Sequence, residues 1–77
     1  MKPHRAKAVA YLRSLKPDEL DAYLARLGLT DYEAYLMRLR YLHHRPLSAI
    51  AASTGYSTRH LQRRYARIYD CMERAYV

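Results

Sequence analysis

Arginine recurs at every fourth position near the C-terminal end of the 77-residue chain, at Arg59, Arg63 and Arg67. In a helix, a turn of about 100° per residue places these three side chains on one face. A guanidinium group is a planar fork whose paired N–H groups match phosphate oxygens or the edge of guanine. Gln62 lies beside them, and its amide can pair with the edge of adenine. The spacing therefore predicts a surface that binds phosphates and base edges.

The other side of the same segment is apolar. Leu61, Tyr65, Ile68 and Met72 follow at positions i, i+4, i+7 and i+11, which is the spacing of a helix with one buried face. Ser57 precedes them and can cap the start of this helix. We therefore expect a helix that buries its apolar face and turns its arginines toward solvent.

A second, shorter helix is predicted just before it. Ser48 can cap this helix, and Ile50 and Ala51 would face inward, where the small Ala51 lets another helix pass close. Gly55 then supplies the positive φ of a tight turn. Together these signals predict a helix-turn-helix from about Leu47 to Tyr76.

A helix-turn-helix places its second helix in the major groove of duplex DNA and contacts bases with residues near the N-terminus of that helix. Arg59 and Arg63 are the candidates for guanine and Gln62 for adenine, while the other arginines are better placed for phosphate. The full set of candidate DNA-binding residues is Arg45, Ser57, Thr58, Arg59, Gln62, Arg63, Arg64 and Arg67.

The N-terminal half predicts supporting helices. The first runs from about Pro3 to Leu15, Pro17 opens the second, Gly28 ends it, and Thr30 with Glu33 forms a capping box for the third. Each helix contains an Ala-Tyr-Leu cassette, which we interpret as a shared packing need rather than a functional repeat. The side chains expected to be buried are Ala8, Tyr11, Leu12, Leu15, Leu20, Tyr23, Leu24, Leu27, Tyr32, Tyr35, Leu36, Leu39 and Leu42.

These elements predict an all-α fold, a small helical bundle containing a helix-turn-helix. Residues 1–42 would form the supporting helices, and residues 43–77 the helix-turn-helix with its C-terminal recognition helix. Both parts are expected to belong to one compact domain, because the chain is at the lower end of the sizes that fold alone.

Charge is uneven along the chain. The net charge of +7 divides into +5 over residues 1–16, −2 over residues 17–42 and +4 over residues 43–77. The positive charge of the last segment is all arginine. This layout favours an anionic partner that is contacted at both ends of the chain.

Several classes of function are disfavoured. His43 and His44 are adjacent and point apart on a helix, so we expect no metal site. The chain has neither a nucleophile–base pair nor a glycine-rich phosphate loop, so we expect no enzymatic activity and no cofactor. The single Cys71 favours a reducing compartment, and neither a secretory signal nor a membrane span is predicted. The expected location is the cytoplasm.

The C-terminal segment resembles known regulators. Leu39-Arg40-Tyr41, Leu47-Ser48, Ile50-Ala51, Gly55-Tyr56-Ser57 and Arg59 are similar to the fourth region of bacterial sigma factors and to small phage regulators of the RinA and ArpU kind. Residues 55–65 also resemble an AraC-type helix-turn-helix, although Arg64 stands where many such motifs have an apolar residue. We expect Tyr65 to take that core position. The resemblance implies sequence-specific binding of double-stranded DNA and control of transcription.

The sequence leaves the partners open. A homodimer is expected, with Met72, Tyr76 and Val77 or the tyrosine-rich helices as its candidate surfaces. The alternative function is a small phage-type protein that binds and modulates another protein, such as RNA polymerase or a host nuclease, on the same scaffold. A third possibility is nonspecific binding of nucleic acid. Membrane binding is the least favoured role of the basic first helix, whose apolar face is short.

Overall fold

The computed structural model describes the backbone of residues 3–76 and the side chains of residues 6–74. Over this range the chain is all-α, as predicted, and forms a small bundle. Its five helices are α1 (Pro3–Ser14), α2 (Pro17–Arg26), α3 (Asp31–Tyr41), α4 (Leu47–Thr54) and α5 (Thr58–Tyr76). The last helix is the centre of the fold, since α1, α3 and α4 all pack against it.

Local signals begin and end the helices largely where the sequence predicts. Pro17 is the first residue of α2, and Gly28 follows the end of that helix with a φ of 67°. The capping box of α3 is confirmed, because Thr30 Oγ1 accepts from the Glu33 N–H at 3.2 Å and Glu33 Oε1 accepts from the Thr30 N–H at 3.0 Å. The predicted cap of α4 is wrong. Pro46 occupies the capping position, and Ser48 is already the second residue of the helix.

One core is shared by all five helices. Its fully buried side chains come from every helix and are Leu12, Leu20, Leu24, Leu36, Met37, Ile50, Leu61, Ile68 and Met72. Two buried residues of α3, Met37 and Tyr41, are outside the predicted set. They are buried because α3 packs against both α4 and α5 and is therefore covered on more than one side.

Three tyrosines predicted to be buried are exposed, namely Tyr11, Tyr32 and Tyr35. The neighbouring leucines Leu12 and Leu36, which are also predicted to be buried, are fully buried. A tyrosine at the edge of an apolar stripe packs one side of its ring and keeps its hydroxyl in water. The predicted stripe of α1 is therefore too wide, whereas the buried face of α3 is shifted away from Tyr32 and Tyr35 toward Met37 and Tyr41.

A candidate nucleic-acid interface on α5

The turn between α4 and α5 has three residues, numbered 55–57. Gly55 adopts a φ of 79°, and its N–H donates to the Ala51 carbonyl at 3.0 Å. The Oγ of Ser57 accepts a hydrogen bond from the His60 N–H at 3.1 Å, which confirms Ser57 as the cap of α5. A side chain at this position would have room, since nothing lies within 4 Å of where a Cβ of Gly55 would be. The glycine is required by its backbone angle alone.

The inner face of α5 holds this helix in one orientation. Leu61, Tyr65, Ile68 and Met72 are all buried, as predicted. The Tyr65 hydroxyl donates to the Leu36 carbonyl of α3 at 2.6 Å, and burial raises the pKa of this hydroxyl well above its usual range. Because a buried hydroxyl needs a hydrogen-bond partner, this bond favours one rotational orientation of α5 about its helix axis.

The outer face of α5 carries the predicted contact residues. Thr58, Arg59, Gln62, Arg63 and Arg67 are all exposed. Among the residues whose side chains the structure describes, no ion pair or hydrogen bond engages the guanidinium groups of its three arginines. Residues 58–69 contain no acidic side chain. This face therefore presents uncompensated positive charge.

The dimensions of this face match a groove of duplex DNA. At about 1.5 Å per residue, Arg59 and Arg67 are about 12 Å apart along the axis of α5. An α-helix with its side chains is about 10–12 Å in diameter, and the major groove, which is about 12 Å wide, admits one. Successive arginines turn by about 40° around the helix, so the row winds slowly across the exposed face. Several base pairs are within reach of one docked helix.

Arg64 has a different environment from the other arginines. It is half-buried and lies one turn after His60, whose ring stacks on Tyr56 beside Tyr32 of α3. Burial raises the pKa of the Tyr32 hydroxyl, a hydrogen bond with Tyr56 raises it further, and the positive charge of Arg64 opposes the rise. Tyr65 occupies the core position, as expected. Arg64 is thus accommodated beside a tyrosine hydroxyl at the edge of the core.

Arg45 is not part of the α5 surface. It lies in the loop before α4, where its N–H donates to the Leu39 carbonyl and its own carbonyl accepts from Arg40 at 3.1 Å. Its side chain is exposed. The eight residues of α4, about 12 Å of helix, separate it from the turn that leads to α5. A phosphate contact by Arg45 stays a prediction and would involve a separate point of the DNA backbone.

Sequence patterns missed an aromatic cluster beside this surface. Tyr56 of the turn stacks on His60 of α5 with ring centroids 4.5 Å apart, and it meets the edge of Tyr32 at 5.7 Å. Tyr35 in turn lies 6.3 Å from Tyr32. We call these four residues the aromatic cluster. Its members are up to 28 positions apart, so no local spacing could have indicated it.

The candidate dimer surface at the end of α5 is only partly available. Met72 is fully buried within the single chain, so the prediction that it contributes to a dimer interface is wrong. Its side chain completes the core where α5 packs on the rest of the bundle. Tyr76 and Val77, the other two residues of that predicted surface, lie outside the described side chains. The tyrosine-rich helices still present exposed rings at Tyr11, Tyr32 and Tyr35.

Other kinds of site find little support in the described part of the chain. No group of three or more His, Cys, Asp or Glu side chains there could hold a metal ion. His43 and His44 are exposed in the loop after α3. No helix within residues 3–76 has both the length and the apolar character to cross a membrane.

The chain matches no protein-family model, no curated protein and no solved structure. The resemblance to sigma-factor region four, to small phage regulators and to AraC-type domains therefore stays a prediction that depends on the quoted residues. Any function must be argued from the geometry of α4, the turn and α5.

Proposed function

We propose that this chain is a sequence-specific, double-stranded-DNA-binding transcriptional regulator of phage or prophage type. In this proposal α4 and α5 are a helix-turn-helix, and α5 is the recognition helix that lies in the major groove. Arg59, Gln62 and Arg63 contact bases, while Arg64 and Arg67 contact phosphates. The protein acts in the cytoplasm of its host, where the lone Cys71 is kept reduced.

The observation that carries the proposal is the row of arginines on the exposed face of α5. The three side chains have no ion pair or hydrogen bond within the described residues, yet the helix that carries them is held in place by a buried inner face. Residues 58–69 of this helix contain no acidic side chain, so the like charges of the row repel one another and favour an anionic ligand that neutralises them. Duplex DNA supplies both the phosphates and the base edges that guanidinium groups match.

The test is selection of a random duplex library on the purified protein at about 0.15 M salt, where nonspecific binding is weakened. We expect enrichment of one sequence motif. Two half-sites related by two-fold symmetry and about one helical turn apart would also establish a dimer on DNA. The matched control is a variant with Arg59, Arg63 and Arg67 all changed to Ala, which should fold but enrich nothing. These side chains are exposed, so the core is unaffected.

Two other outcomes would reject the proposal. Salt-sensitive binding to every duplex without enrichment would instead indicate a nonspecific nucleic-acid-binding protein. Absence of binding to any duplex would favour the modulator of another protein, and the same arginine variants would then be tested for loss of that partner.

A further inference from the structure

The aromatic cluster exposes a large apolar surface next to the arginine face of α5. Tyr32, Tyr35 and Tyr56 are 38%, 47% and 39% exposed, and together they are three of the four large exposed apolar side chains of the described chain. The rings contact one another across α3, the turn and α5. A contiguous exposed patch of this kind is typical of an interaction site.

The cluster and the arginines form one continuous surface. On α5, His60 points within about 20° of Arg67, about 40° of Arg64 and about 60° of Arg63. The His60 ring stacks on Tyr56, and Tyr56 in turn meets the edge of Tyr32. A ligand that covers Arg63 and Arg67 therefore borders the rings of His60, Tyr56 and Tyr32.

Charge decides what kind of ligand fits. The arginines border the cluster on the α5 side, so a second copy docked on it would bring like charges together. An anionic ligand would instead be attracted. Tyrosine hydroxyls are neutral donors that commonly bind DNA phosphates, where they orient the protein without selecting sequence. Duplex DNA already lies against the neighbouring arginines in the proposed function, and its backbone is therefore the occupant that the charges favour.

We infer that the hydroxyls of Tyr32 and Tyr56 bind the phosphodiester backbone along one edge of the groove that α5 occupies. Tyr56 lies in the turn directly before α5, and its contact with Tyr32 extends this edge onto α3. Asp31 is exposed four residues before Tyr35, on the same side of α3, and its carboxylate repels phosphate. The contact therefore ends before Tyr35. This inference rests on the proposed function.

The experiment compares Tyr32→Phe, Tyr56→Phe and the double variant with Tyr35→Phe as the matched control. Affinity is measured by fluorescence anisotropy for the selected duplex and for a scrambled duplex of the same length, at several salt concentrations. A hydrogen bond to a charged group corresponds to a loss of about tenfold in affinity. On both duplexes we expect this loss for each single variant and a loss of about a hundredfold for the double variant, and no loss for the control.

Salt dependence separates the tyrosines from the arginines. A neutral hydroxyl releases no counterion, so the tyrosine variants should keep the slope of log affinity against log salt, whereas Arg64→Gln should reduce it by about 0.9. Phe keeps each ring, and an unchanged unfolding midpoint would show that the fold is intact. Wild-type affinity of the double variant, or a loss on the selected duplex alone, overturns the inference while the proposed function stands. Failure of the wild-type chain to bind duplex DNA rejects both.

Discussion

Helices α3 and α5 both carry arginines and tyrosines but use their arginines differently. In α3, Arg38 donates to Asp21 Oδ1 of α2 at 2.8 Å, and Arg40 donates to the Arg45 carbonyl at 3.1 Å. In α5, the row Arg59, Arg63 and Arg67 has no such partner among the described residues. The arginines of α3 thus join parts of the fold to one another, while no described residue engages the guanidinium groups of the α5 row.

The number of arginines in a segment therefore does not tell how many of them are engaged within the fold. The two helices are similar in one respect, since each buries a tyrosine whose hydroxyl has a hydrogen-bond partner within the fold. Tyr65 of α5 donates to the Leu36 carbonyl, and Tyr41 of α3 is hydrogen-bonded to the hydroxyl of Tyr69. The inner faces of α3 and α5 thus share a buried, hydrogen-bonded tyrosine, whereas the arginines on their outer faces differ in their partners.

The largest expected effect tests the shared core. Leu36→Ala in α3 and Leu61→Ala in α5 should each lower the free energy of unfolding by about 2–5 kcal/mol, because both side chains are fully buried and each change leaves a cavity. Chemical denaturation measures this loss. Gln62→Ala, next to Leu61 but exposed, should change stability by less than about 0.5 kcal/mol. A small effect at Leu61 alone would mean that α5 is not held by the core.

The next largest effect compares an arginine on the outer face of α5 with one on the outer face of α3. Arg63→Ala should weaken binding to the selected duplex by about 1–3 kcal/mol and relax the preference at one base position, because a bidentate base contact is lost. Arg38→Ala should leave DNA affinity unchanged, since its guanidinium is engaged with Asp21. Its stability cost should be at most about 1 kcal/mol, as for other exposed ion pairs. Equal losses of affinity in the two variants would contradict the contrast between the helices.

Alkaline titration tests the buried hydroxyls. Burial raises the pKa of Tyr41 and of Tyr65, and at Tyr41 the hydrogen bond with Tyr69 raises it further. As the pH rises above about 10, the unfolded chain releases these protons while the folded chain keeps them. Above about pH 10, each buried tyrosine should lower the free energy of unfolding by about 1.4 kcal/mol per pH unit. Below about pH 10, these tyrosines should cause no such loss.

The slope of this loss assigns the effect to particular hydroxyls. Tyr65→Phe should have a shallower decline of stability above pH 10 than the wild-type chain, because one titrating group has been removed. Gln62→Ala, which removes an exposed side chain that does not titrate, should decline as the wild type does. Unfolding midpoints measured from pH 8 to 12 would make the comparison, and parallel curves for all three proteins would refute it.

The smallest effect concerns the two caps. Thr30→Ala in front of α3 and Ser57→Ala in front of α5 should each lower stability by about 1 kcal/mol. The loss should be larger at Thr30, because its hydroxyl both accepts from the Glu33 N–H and donates to the Glu33 carboxylate. The corresponding glycine variants should lose less, since glycine is itself accepted at a cap. Thermal unfolding measures both losses, and a larger loss at Ser57 than at Thr30 would contradict the expected order of the two caps.

Local chemistry was enough to predict several features correctly. The capping box of α3, Pro17 at the start of α2, the positive φ of Gly55 and the cap at Ser57 each depend on residues within about four positions of one another. The buried face of α5 was also predicted, because its spacing is a property of one helix. The outward direction of the arginines follows from the same spacing.

The tertiary structure alone decided how wide each buried face is and which polar groups meet. Periodicity identifies the centre of an apolar stripe, but the neighbouring helices determine whether residues at its edge are covered, so Tyr32 became exposed while Met37 became buried. Likewise Arg38 meets Asp21 from 17 residues away, whereas the α5 arginines meet no described partner. The helices and their faces follow from interactions within a few residues. The contacts between side chains distant in the chain follow from how the helices pack, and these contacts separate the outer face of α3 from that of α5.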